Sequence, residues 1–489
     1  MSLANRSITS VTWNAIANFI RLPVGLIQSI VLARLLPVEY FGIFAGMLAL
    51  VNFSYVFFDF GLGSAFFHRS AETQDEEQAI AVLFSLRLIF TLIWAVILIA
   101  VALILLSDQR QLVLIVLTIT GFFSKIAGTP MILLMRRVEH RRLAILEITT
   151  AIIVAAFSIS IAVFTTSIWA LLISSVVALV WMIIILYLWK PIWRPHFAWN
   201  KSIVNYYLNF GGRSMSANFL GVSIEYADDL WTNIFLGDVA LGYYSRAYKF
   251  ASYPRTIFAV PINKVVVGTY SELKSDHKRL SQAFFRTNAF LIRTGFLFAG
   301  WLAVVAPFLI PIILGKQWLP MLDAFRLMLI FALLEPIKVT IAGVLTAVGR
   351  PEKVTLVRTI QLLVLVIGLF VLGYRFDIAG VALALDVMVV VGIGLLLHQV
   401  KPYVDFSARR LFTAPLIALG IGFGLSWLVT YVWDIYYSDW LSVIVLSLSF
   451  GIGYLGWLYM LEGKVLLRHF AGIIDISAWS NRFKSFLDT

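Results

Sequence analysis

Nine basic side chains interrupt apolar runs long enough to cross a lipid bilayer: Arg21, Arg87, Lys125, Arg213, Arg255, Lys264, Arg293, Arg326 and Lys338. A cation at the centre of a membrane helix costs ~2.5–3.5 kcal/mol on insertion scales. A chain that carries so many is expected to turn them toward a shared wet cavity rather than toward lipid. Fewer deep acids are present to neutralise them, so the cavity favours an anion. Guanidinium forks match phosphate oxygens in pairs and an ammonium adds a point charge, which suits the set to a phosphate or pyrophosphate. The nine are not equal. Arg326 lies near the outer end of its run and can snorkel, Arg87 and Arg293 can do so toward the cytoplasm, and Lys264 is close to the inner surface. Arg21, Lys125, Arg213, Arg255 and Lys338 have no such escape.

Polar residues mark the faces that would line the cavity. Asn14, Asn18, Arg21 and Gln28 are separated by four, three and seven residues, which places them on one stripe of a helix. Asn218, Glu225, Asp229 and Asn233 repeat the device beside Asp228, and Asn52, Tyr55 and Asp59 share another face, as do Tyr244, Tyr248 and Arg255. Interhelical hydrogen bonding is the structural alternative for the amides. The candidate substrate-binding residues are therefore Asn18, Arg21, Lys125, Arg213, Asn218, Arg255 and Lys338. The acids Asp59, Glu225, Asp228, Asp229 and Asp386 either pair with these cations or carry a coupling proton or sodium ion. Asp228 and Asp229 form the sharper coupling candidate, because adjacent carboxylates repel one another. Glu147, near a cytoplasmic end, reads as ordinary. No metal site, cofactor or catalytic group is expected.

The elements that must position these groups follow from hydropathy. The chain has 489 residues, 61% hydrophobic and 13% charged, with mean hydropathy +0.92, far more apolar than a soluble domain. Continuous apolar runs of about 20 residues predict an all-α polytopic membrane protein and exclude a barrel of short alternating strands. We place about fourteen spans: 9–35, 40–66, 79–106, 112–135, 143–164, 168–189, 202–236, 243–267, 284–314, 321–348, 354–374, 378–400, 411–433 and 440–460. Alternate loops are basic, as in Arg136, Arg137, Arg141 and Arg142, or Lys274, Lys278 and Arg279, whereas the opposite loops hold few cations. That asymmetry puts both termini in the cytoplasm. It also accounts for the net charge of +12 without a nucleic-acid partner. The chain has no cysteine, hence no disulfide or thiolate site. All six histidines fall at or near the cytoplasmic surface, no Walker A pattern occurs, and short loops leave no room for a soluble catalytic domain. Pro254, Pro261, Pro311 and Pro336 predict kinks, and Gly420 with Gly424 predicts close helix packing. From Glu462 onward the tail reads as an interfacial amphipathic helix.

An internal repeat organises the spans. At a shift of 200 residues Ala17-Asn18-Phe19 falls on Ala217-Asn218-Phe219, Leu36 on Leu236 and Gly42 on Gly242. Six intervening spans give both halves the same orientation. The expected organisation is an N-terminal six-helix lobe over 1–200 and a second over 201–400, related by a pseudo-twofold along the membrane normal. Two extra spans over 401–461 and the cytoplasmic tail over 462–489 complete it.

Three segments carry a family resemblance. Leu32-Ala33-Arg34-Leu35-Leu36-Pro37-Val38-Glu39-Tyr40-Phe41-Gly42, Phe58-Asp59-Phe60-Gly61-Leu62 and Leu241-Gly242-Tyr243-Tyr244-Ser245-Arg246-Ala247-Tyr248 resemble signatures of the Wzx-type polysaccharide-biosynthesis flippases. These form a branch of the multidrug/oligosaccharidyl-lipid/polysaccharide superfamily. The resemblance implies translocation of an undecaprenyl-pyrophosphate-linked oligosaccharide across the bacterial inner membrane. It further implies a cationic lumen at Arg21, Arg213 and Arg255, and partners among membrane lipids and a polysaccharide polymerase or export machinery. A multidrug exporter of the same superfamily and a membrane-embedded polymerase or ligase are the competing readings. Surplus cations disfavour the first, and the short outer loops disfavour the second.

Overall fold

A computed structural model describes residues 3–69, 76–137, 139–189, 191–433 and 439–463. The expected tail beyond Gly463 and the side chains of Asn14 and Arg213 lie outside the described residues. Seventeen α-helices and no strand occur among them. The first eight are α1 (Leu3–Leu35), α2 (Val38–Asp59), α3 (Leu62–His68), α4 (Glu76–Leu105), α5 (Asp108–Ala127), α6 (Thr129–Arg136), α7 (His140–Thr165) and α8 (Trp169–Ile183). Next come α9 (Lys201–Phe235), α10 (Asp238–Ala251), α11 (Val260–Leu273), α12 (His277–Ile313) and α13 (Leu322–Ala347). The last four are α14 (Pro351–Gly368), α15 (Tyr374–Val400), α16 (Ala408–Trp433) and α17 (Asp439–Glu462).

Eleven stretches are long and apolar enough to cross a membrane on composition alone, and one of them, Pro351–Val400, runs to 50 residues. That stretch crosses twice, because Phe376 and Asp377 leave helical geometry between its halves. The two remaining expected spans, α9 and α10–α11, fail on apolarity because they hold the very charges that make the chain interesting. Glu225, Asp228 and Asp229 sit in the first, and Arg246, Lys249, Arg255 and Lys264 in the second.

Several expected spans are broken helices, and the breaks have local causes. Phe60 and Gly61 both adopt left-handed backbone, at φ 47° and 59°, which stops α2 just after Asp59. Pro254 and Pro261 flank a π-helical turn over Arg255–Ala259. Proline supplies no amide hydrogen, so the helix widens there instead of continuing. Arg255 thus stands at a break in the helix. Pro311 and Pro336 lie inside the continuous α12 and α13. Asn200 starts α9 by accepting from the amides of Ser202 and Ile203 at 3.0 and 3.3 Å, a side-chain N-cap.

Contacts divide the chain into two units, residues 1–246 with 365–381, and residues 247–364 with 382–489. In the first, α4 packs beside α2, α3, α5 and α9 around Ile80, Leu83, Phe66 and Tyr207. The Tyr207 hydroxyl donates to the Ala79 carbonyl at 2.9 Å, and the Trp94 indole donates to Ser54 Oγ at 2.9 Å. In the second, α12 packs against α13, α16 and α17, and the Trp301 indole donates to Ser447 Oγ at 2.7 Å. Lipid is as apolar as leucine, so such polar contacts and small-residue packing hold the bundles rather than hydrophobic burial. The close approach of α16 and α17 is made by Gly422 against Gly453, whereas Gly420 and Gly424 face open space. The GxxxG expectation is corrected accordingly: Gly422 lies two residues, about 200° of helix, from either motif glycine.

The turns around Gly42 and Gly242, which the 200-residue shift aligns, touch each other within the first unit. A side chain on Gly42 would collide with the Asp238 carbonyl, and one on Gly242 would collide with the Val38 carbonyl. Adding 200 to the lower-numbered member of the first pair and subtracting 200 from the other gives the second pair, the reciprocity a twofold-related duplication produces. Glycine is required at both positions because the backbones meet there.

Candidate functional site

The candidate cations gather in clusters; of the acids expected to pair with them Asp59 meets Arg87, whereas Arg21 and Arg255 meet Glu147 and Glu335 instead. In the second unit Glu335 on α13 sits between two of them: Arg255 Nη1 and Lys338 Nζ each lie 3.4 Å from one of its oxygens. The three side chains are 18–21% exposed. One carboxylate faces two cations. Arg255 Nε is buried and finds no hydrogen-bond partner, so the guanidinium is only partly used. Lys338, Glu335, Arg358 and Gln361 line a cavity of about 250 Å³ between α11, α13, α14 and α15. Arg255 instead edges an apolar cavity walled by Phe258, Phe298 and Leu333.

The first unit repeats this arithmetic on α2, α4 and α5. Arg87 approaches Asp59 at 3.8 Å, and Lys125 Nζ stands over the Tyr55 ring, 4.2 Å from its centroid. Two cations again lie near a single acid, but only Arg87 pairs with it, and Lys125 rests on a ring face instead. Arg87 is 13% exposed on its side chain and turned to Asp59, which corrects the expectation that it snorkels. Arg21 donates to Asn18 Oδ1 at 3.2 Å and to Glu147 Oε2 at 3.3 Å, with side chains 46% and 39% exposed for the ion pair. Glu147, read as ordinary, is thus a partner of the stripe arginine.

The acids divide as well. Asp228 is buried and accepts from the Tyr244 hydroxyl at 2.5 Å, while Asp229 is half-buried and Glu225 exposed on the same helix. Asp386 is buried on α15 with no ion-pair partner among the described residues. Asn218 is exposed on α9. No group of three or more metal-ligating side chains occurs among the described residues.

Arg293 is the clearest correction. It is 3% exposed rather than snorkelling, and its guanidinium grips Glu462 at the end of α17 through a fork whose Nε–Oε2 arm is 2.8 Å. Nη1 donates to the Ala289 carbonyl at 2.8 Å, and Tyr454 closes the cluster by donating to the Arg293 carbonyl at 2.9 Å. Arg326 is exposed and donates to the Ala303 carbonyl at 3.1 Å. At the start of α10 Asp238 accepts from Arg110 and from Asn233, both at 2.7 Å.

Glu335 is the acid of this cluster that sequence reasoning missed. Its signal was the i,i+3 spacing to Lys338 inside an apolar run; its contact with Arg255 has no sequence signature.

Comparison with known proteins agrees with this architecture. A family model described as polysaccharide biosynthesis protein matches residues 31–323. The lipopolysaccharide biosynthesis protein WzxC of Escherichia coli (strain K12) is 22% identical over 370 residues, 72% of each chain. A structure of the lipid II flippase MurJ, in an inward closed conformation, superposes with TM-score 0.76 at 15% identity, covering 92% of this chain and 99% of that one. An inward-facing multidrug-resistance MATE transporter of the MOP superfamily gives TM-score 0.59 at 13% identity, over 80% and 98%. At such identities the two structures speak for the fold, which is that of the MOP transporters. With more than half of its length matched by the family model, the chain belongs to the polysaccharide biosynthesis protein family.

Proposed function

We propose that this protein is a flippase that moves a lipid-linked oligosaccharide across the cytoplasmic membrane by alternating access, gripping the cargo through its pyrophosphate. The observation that carries the reading is the excess of cation over acid in two separate membrane clusters, Arg255 and Lys338 with Glu335, and Arg87 and Lys125 with Asp59. A cluster with one net positive charge and an unused guanidinium N–H awaits an anion with several acceptor oxygens. Family membership and a relative named for lipopolysaccharide biosynthesis supply the cargo class. The undecaprenyl carrier is the form the family resemblance implies. Asn18, Arg21, Lys125, Arg213, Asn218, Arg255 and Lys338 are the residues proposed to contact cargo. Asp59, Glu225, Asp228, Asp229 and Asp386 are proposed to pair with them or to couple transport to protons or sodium. Both termini face the cytoplasm on this reading, and the protein transports rather than catalyses. A multidrug exporter of organic cations would have to work against its own basic walls.

Deleting the gene in its native host tests the reading. A lipid-linked glycan should accumulate on the inner leaflet, and the wild-type gene should clear it while Arg21→Ala and Arg255→Ala genes, expressed at wild-type level, should not. Absence of any accumulated lipid-linked glycan, or full clearance by both variants, removes the assignment.

A further inference from the structure

Glu335 sits where a phosphate would be bound, and it sits there loosely. Its contacts to Arg255 and Lys338 are both 3.4 Å, beyond the ~2.7–2.9 Å of charge-assisted hydrogen bonds between ions. The same molecule makes such bonds where it needs a fixed pair, as between Arg110 and Asp238 at 2.7 Å and in the 2.8 Å arm of Arg293 with Glu462. Arg255 also keeps a buried Nε–H without a partner, a donor that a carboxylate held at 3.4 Å does not satisfy. A further cation, Arg358, lines the cavity that Glu335 and Lys338 share. The arrangement has the composition of an oxyanion site with its own acid occupying it.

We propose that Glu335 is an internal stand-in for the cargo's phosphate: it screens Arg255 and Lys338 while the site is empty, and the phosphate must displace it to bind. This rests on the flippase reading for the identity of the anion. Binding is then an exchange of one anion for another, which keeps the two cations from facing each other unscreened. It also limits how tightly the cargo is held, so that it can leave on the far side. Affinity traded for release is what a carrier needs, and a single acid between two bases provides it.

The experiment measures binding of farnesyl pyrophosphate to the purified full-length protein in nanodiscs, for wild type, Glu335→Gln and Arg255→Ala. Glu335→Gln should bind about tenfold more tightly, the scale of one ionic contact no longer in competition, and Arg255→Ala should bind more weakly than wild type. Glu335→Gln should at the same time export more slowly in cells at equal protein level, because release is impeded. An acid that only braced the cluster would lose both binding and export on substitution. Equal or weaker binding by Glu335→Gln overturns the proposal. If that variant does not survive purification, Glu335→Asp withdraws the carboxylate by one methylene and is judged by the same criterion. The flippase reading fails separately, if loss of the gene leaves no lipid-linked glycan behind; the binding comparison still decides the role of Glu335 in that case.

Discussion

Arg255 and Arg293 belong to the same unit, both lie in membrane-crossing segments, and each faces a glutamate, yet their surroundings are opposite. Arg293 has a carboxylate to itself, donates besides to the Ala289 carbonyl, and is 3% exposed. Arg255 shares Glu335 with Lys338, keeps a buried N–H unused and borders a cavity. The cost of putting a guanidinium in a membrane is therefore not by itself a mark of function. What separates the two is whether the protein's own acceptors exhaust the cation's donors. The first tethers α17 to α12; the second keeps a buried donor without an acceptor.

The contrast can be broken most sharply at Arg293. Arg293→Ala leaves Glu462 buried without its counter-ion, and should cost ~3–5 kcal/mol of stability. A large fall in the unfolding temperature of purified protein would report it, with export falling only as far as protein level does. Arg255→Ala should do the reverse. Export should drop about a hundredfold, the equivalent of ~2–3 kcal/mol of charge-assisted contact, while the unfolding temperature stays close to wild type. If the two variants gave the same pattern, the distinction drawn here would be wrong.

Smaller effects sharpen it further. Gly42→Val and Gly242→Val should each destabilise by ~1–3 kcal/mol through overpacking, since both press on the partner turn's backbone, and thermal unfolding would show it. Similar losses for the two would mirror the reciprocity of the contact. Replacing Arg293 and Glu462 together with Met and Leu should come within ~1.5 kcal/mol of wild type, because a well-packed apolar pair can match a buried ion pair. The same double replacement at Arg255 and Glu335 should keep the fold and still abolish export. Asp228→Asn should change the proton or sodium dependence of export if that acid couples transport; unchanged dependence excludes it.

The spans over α9 and α10–α11 are legible although they fail on apolarity, because their polar residues fall in helical stripes. The break at Arg255 was legible too, since Pro254 and Pro261 bracket it and a proline's missing amide acts locally. The five cations without an escape were identified from their depth in the apolar runs, although the side chain of Arg213 lies outside the described residues. The burial of Arg87 and Arg293 is not legible in the sequence, because depth along a helix says nothing about which neighbour leans over it.

Charge pattern and apolar run length determined that this chain crosses a membrane many times and which loops carry its cations. These are sums over neighbours in sequence, and the bilayer imposes them on any chain. Only the packing of helices decided which acid answers which base. Arg21 finds Glu147 across 126 residues and Arg293 finds Glu462 across 169, whereas Arg255 and Lys338 are left to share Glu335. Coulombic pairing depends on distances of a few ångströms between different helices, and no local property of the chain encodes those.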